Sequence, residues 1–121
     1  MVMWDEEYLK YKFSDWHPMH PARLELTYRL SSELQVLDAD NVSIHAPEIA
    51  SDAVIGTVHE QSYIDQVRRV SEDPTLIAED FGLGTEDDPV FAGMHDAAGR
   101  IVGGSIIAAQ AIMDQDTVRA V

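Results

Sequence analysis

The 121-residue sequence contains no cysteine, so it has no disulfide and no thiolate nucleophile or metal ligand. Cations are scarce too. Eight Lys and Arg stand against 22 Asp and Glu, a formal net charge of −14. Every phosphate contact needs a cation, so this balance argues against nucleic acid and against an anionic membrane surface. Four of the eight cations, Arg23, Arg29, Arg68 and Arg69, fall in two predicted helices rather than in one basic stripe. No apolar run approaches the roughly 18–20 residues that span a bilayer. The opening Met-Val-Met-Trp-Asp-Glu-Glu has neither the basic nor the apolar segment of a signal peptide. The expectation is a soluble, cytoplasmic protein with no membrane partner. What is present, 45% hydrophobic and 25% charged residues, is globular in proportion and excludes a wholly disordered chain.

Val2-Met3-Trp4 has strand character, and Tyr8 to Trp16 reads as irregular. Pro18 and Pro21 break the following stretch, and Pro21 suits the first turn of a helix over about Ala22 to Leu34. Leu24, Tyr28 and Ser31 share one stripe of it, and Leu26, Leu30 and Leu34 the next. Glu25 and Arg29 form an i,i+4 pair of favourable polarity. Alternation over Val42–Ala46 predicts a second strand, ended by Pro47. Ser51-Asp52 then caps a short helix to Val58, and a further helix covers about Ser62 to Val70. Thr75 to Asp88 is an acidic loop, and Pro89 opens a last helix over about Val90 to Met113. That helix is apolar on most faces and carries Gly93, Gly99, Gly103 and Gly104, a pattern that predicts close packing. Strand, helix, strand and three helices make the opening of an α/β fold. Two strands do not complete such a sheet. The chain therefore reads as the first part of a larger domain.

The chemistry-bearing residues admit bland readings. His17 and His20 are three apart across two prolines, which does not make three or four zinc ligands converge. The simpler reading of His17 is a loop histidine bonded to backbone. His59-Glu60-Gln61-Ser62-Tyr63 is not the zincin pattern, because Tyr63 stands where the second His belongs. By spacing, Asp88 is a helix cap before Pro89, and Asp87 is a solvated loop acid that could also accept amide hydrogen bonds. Arg23 lies at a helix start, where a cation is disfavoured, so it needs a partner: a nearby carboxylate or some other anion.

Four stretches, in order, resemble the histone deacetylase superfamily, and most closely its bacterial acetoin utilization branch, AcuC. His17-Pro18-Met19-His20-Pro21-Ala22-Arg23 resembles the family's HPM-x-P-x-R opening. Val58-His59-Glu60-Gln61-Ser62-Tyr63-Ile64 resembles its H-x-x-x-Y-I segment. Asp87-Asp88-Pro89-Val90-Phe91 resembles its acidic Pro-Val-Phe loop, and Gly103-Gly104-Ser105 its GGS run. The resemblance implies an arginase/deacetylase-like α/β fold, a parallel sheet flanked by helices, incomplete in residues 1–121. It implies hydrolysis of an acetyl-lysine amide, with zinc polarising the carbonyl in the full-length enzyme. The family's catalytic His pair, zinc ligands and oxyanion Tyr lie downstream of its matched segments. No catalytic residue and no metal ligand is therefore carried over, and no zinc is expected on this chain alone.

Two binding roles are carried over. Asp87 matches the acid that binds the substrate backbone, and Arg23 matches the arginine of the acetate channel. His17, Pro18 and Met19 would shape the active-site wall. The implied partner is an acetylated lysine protein or a small acetylated amine, with self-association through an exposed core as a further expectation. Two other readings stand beside this one: a non-catalytic acidic interaction module or truncated gene remnant, and a small metal protein using His17 and His20.

Overall fold

A computed structural model describes residues 1–121. The first strand, β1 (Val2–Met3), pairs in parallel with β2 (Ile44–His45), with Val2 opposite Ile44 and Met3 opposite His45. Between them runs helix α1 (Ala22–Glu33), so the first third of the chain is a βαβ unit. The other edge of β1 is also engaged. Met3 N donates to Val121 O at 2.7 Å, and Val121 N donates to Met1 O at 3.2 Å, the bonding pattern of a parallel neighbour.

Helices α2 (Asp52–Ile55), α3 (Gln61–Glu72) and α4 (Met94–Met113) follow. Each strand and helix expected from the sequence is present, mostly shorter than expected. The Tyr8–Trp16 stretch is not wholly irregular, because Glu6–Lys10 forms a 3-10 turn capped by the Asp5 carboxylate. The acidic loop contains a second such turn at Glu79–Phe81. Ser51 precedes α2 but its side chain makes no capping bond. Trp4 stacks on Tyr28 of α1, with ring centroids 4.2 Å apart, and so fixes that helix against β1. The expected Glu25–Arg29 pair is made, at 2.9 Å.

Helix α4 starts four residues later than Pro89 and Val90 suggest. Gly93 precedes it at φ +80°, a left-handed conformation that favours glycine, and so ends the non-helical run. Phe91 in that run packs edge-on against Tyr11 and Phe13, at 5.4 and 5.7 Å. The other three glycines lie inside the helix at close approaches. A Cβ on Gly99 would come within 3.0 Å of the Ile49 side chain. On Gly103 it would overlap the Glu48 carbonyl oxygen, and on Gly104 the Tyr8 hydroxyl. The Pro47–Ala50 segment lies across this stripe, and Ala50 N donates to Gly99 O at 2.9 Å.

A small core gathers Val70, Ala78, Leu83 and Met94, flanked by Tyr63, Val67, Val90 and Phe91. It sits between α3, the acidic loop and the start of α4. Only 14 of the 121 residues are buried, and many large apolar side chains are exposed.

Candidate functional site

The acidic loop closes on itself through two short bonds. Gly84 N donates to Asp88 O at 2.8 Å, and Asp88 N donates to Thr85 Oγ1 at 3.0 Å. This closure separates the two adjacent acids. Asp87 is exposed, whereas Asp88 is half-buried. Asp88 is therefore not the cap of α4, whose first residue is Met94. Its carboxyl lines a cavity of about 180 Å³ together with Tyr11, His59, Tyr63, His95 and an apolar floor. Burial raises the Asp88 carboxyl above its ordinary range, partly offset by nearby His17. Burial, and then the charge of Asp88, raises both Tyr11 and Tyr63. Two phenols and a carboxylate thus face one cavity. They come from three segments far apart in sequence, and no local pattern announces them.

Arg23 occupies the first turn of α1 and is exposed. Its guanidinium donates to Met19 Sδ at 3.6 Å and has no carboxylate within ion-pair distance. The carboxylate partner weighed above is therefore not made. The side chain borders a largely apolar groove of about 350 Å³, lined also by Tyr8, Tyr11, Met19, His20, Pro21 and Leu24. The His17–Met19 loop is held locally. Met19 N donates to His17 Nδ1 at 3.1 Å, and the His17 ring packs edge-on against Phe13 at 4.6 Å. His17 is thus a loop histidine bonded to backbone. His20 likewise accepts the Ala22 amide on Nδ1, at 3.1 Å.

A second polar cluster was missed in the sequence. Asp52 of α2 pairs with Arg68 of α3, and its other oxygen lies 3.3 Å from His95 Nε2 of α4. The hydrogen bond from Arg68, ahead of smaller contributions, holds the Asp52 carboxyl below its usual range. The cluster ties three helices together at the cavity wall.

No three His, Asp or Glu side chains converge on a common point. His17 and His20 each spend one ring nitrogen on a backbone amide, which leaves a donor set too small for zinc. These residues do not fit a zinc site. No helix is long and apolar enough to cross a membrane.

The class these features define is an α/β protein whose parallel strands are joined through a helix, with an acidic loop and an unpaired arginine beside apolar clefts. Residues 17–121 match the family described as "Histone deacetylase domain", and the chain belongs to that family. It is similar to the acetoin utilization protein AcuC of Bacillus subtilis strain 168, with 36% identity over 122 aligned positions. That alignment covers 99% of this chain and 31% of the relative. The AcuC protein of Staphylococcus xylosus is 36% identical over 88% of the chain and 28% of the relative. That of Staphylococcus aureus strain MSSA476 is 30% identical over 92% of the chain and 28% of the relative. The chain thus spans about a third of the length of the curated relatives it matches.

Proposed function

We propose that residues 1–121 form the N-terminal portion of an AcuC-like, zinc-dependent deacetylase with the arginase/deacetylase fold. The reaction is hydrolysis of the amide of an acetylated lysine or a small acetylated amine, giving the amine and acetate. The arrangement of the two carried-over residues supports this reading best. Asp87 is presented to solvent at the head of a closed loop, where its carboxylate can accept peptide N–H bonds. Arg23 holds an unpaired guanidinium against an apolar groove, a setting that suits a small carboxylate such as acetate. His17, Pro18 and Met19 would shape the active-site wall, and of the three Met19 lines that groove. No proton transfer or metal step is assigned to these residues, so the chain by itself is expected to lack turnover.

The uncovered apolar surface favours a second reading, a non-catalytic acidic interaction module or gene remnant. Sequencing the coding DNA beyond the Val121 codon separates the two. A frame continuing into an N-x-A-G-G-x-H-H segment supports the deacetylase. The encoded protein should then release acetate from an acetyl-lysine peptide, and Asp87→Ala should weaken this by about tenfold or more. An in-frame stop directly after Val121 overturns the deacetylase reading.

A further inference from the structure

We propose that the cavity between α3, α4 and the acidic loop binds a primary alkylammonium group, with Asp88 as its counter-ion and Tyr11 and Tyr63 as its aromatic walls. This inference does not require the deacetylase reading, which rests on Asp87 and Arg23, although the cavity shares Tyr11, Ala98 and Val102 with the groove beside Arg23.

Three features converge on it. The Asp88 carboxylate is half-buried, yet it pairs with no Lys or Arg and accepts no side-chain hydrogen bond. Nearby His17 offsets its burial only in part, short of the pairing that burying a charge calls for. The groups around it are aromatic. Tyr11 and Tyr63 line the same cavity, and His59 stacks on Tyr63 with ring centroids 5.4 Å apart. Aromatic faces beside a carboxylate attract a cation through the ring quadrupole as well as through charge. Beyond the two tyrosines the lining is mostly aliphatic, with Ile64, Val67, Leu83 and Met94 among it. The site therefore selects an apolar chain ending in a positive charge. An anion would be repelled by Asp88, and a neutral alkane would leave Asp88 uncompensated. At about 180 Å³ the cavity is below the size of drug-sized pockets, and suits a short chain.

The same chemistry can come from a free alkylamine or from a lysine side chain. The experiment titrates the whole 121-residue chain, isotope-labelled, with n-butylammonium chloride and follows backbone amide shifts. Parallel titrations use n-butanol, which keeps the apolar body and removes the charge, and the peptide Gly-Lys-Gly. The expected result is a saturable shift confined to the amides around Tyr11, Tyr63 and Asp88. Butanol should bind at least about tenfold more weakly, and Asp88→Asn should lose about tenfold toward butylammonium. Tighter binding of Gly-Lys-Gly than of butylammonium assigns the site to a lysine side chain, and weaker binding assigns it to a free amine. Equal response to butanol, shifts scattered over the acidic surface, or no saturable shift overturns the proposal. The butylammonium–butanol comparison is made on the unmodified chain and so does not depend on how any variant folds.

Discussion

Asp52 and Asp88 carry the same side chain in opposite surroundings, and their effects on stability have opposite signs. The Asp52 carboxyl is held below its usual range, chiefly by the hydrogen bond from Arg68. The folded chain then binds that proton less tightly than the unfolded chain. Its contribution is present above the unfolded carboxyl range and is lost as pH falls through the folded one. Asp52→Asn should lower the melting temperature at neutral pH, and the deficit should close in acid. Asp88 is raised, chiefly by burial. Its proton is held more tightly in the folded chain, so stability is lost as pH rises through its range. Asp88→Asn should therefore raise the melting temperature at neutral pH, with no gain in acid where the native carboxyl is already neutral. Thermal melts of the two variants across the acid-to-neutral range test both signs at once. A lowered neutral-pH melting temperature for Asp88→Asn would contradict the burial argument. A gain there, together with loss of ammonium binding, would mark Asp88 as a residue kept at a cost to stability.

Helix α4 is positioned by what its glycines leave out. A methyl on Gly103 meets the Glu48 carbonyl, which belongs to the backbone and has nowhere to go. A methyl on Gly104 meets chiefly the Tyr8 hydroxyl, an atom that a substitution can remove. Gly103→Ala should cost about 1–3 kcal/mol or more by overpacking. Gly104→Ala should cost a similar amount, of which Tyr8→Phe recovers part. A double-mutant cycle in chemical denaturation measures the coupling, and strict additivity would sink the contact. The sequence made this stripe legible, because repeated glycines in an apolar helix point to close packing. It also gave the parallel βαβ order and the local His17 bond, since alternation, prolines and short spacings are local signals. It did not give the start of α4. Pro89 resembles a helix opening, but the aromatic packing of Phe91 and the left-handed Gly93 delay it. Nor did it give the inward turn of Asp88 or the Asp52–Arg68–His95 tie. Both depend on contacts between elements, and adjacent acids in a loop look alike until the loop closes.

At the scale of the molecule, two surface properties oppose each other. Large apolar side chains stand in solvent on several elements, with Trp16 95%, Val118 93% and Ile77 87% exposed. The outer stripe of α1, Leu26, Leu30 and Leu34, is exposed along with them. Such a surface is driven to find a cover, whether further strands and helices of a larger domain or another copy of this chain. The net charge of −14 works against the second option, because identical acidic chains repel. The balance depends on ionic strength. Salt screens the repulsion between exposed charges over about 10 Å at 0.1 M, and leaves the apolar attraction in place. Self-association of the 121-residue chain should therefore rise with sodium chloride and with protein concentration. Light scattering after size exclusion measures it, and a dye that fluoresces on apolar surface should lose signal as the copies cover one another. A monodisperse monomer at every salt concentration, without dye binding, would mean that the apolar faces are covered within a single chain, and the case for a missing part of the domain would lose its physical basis.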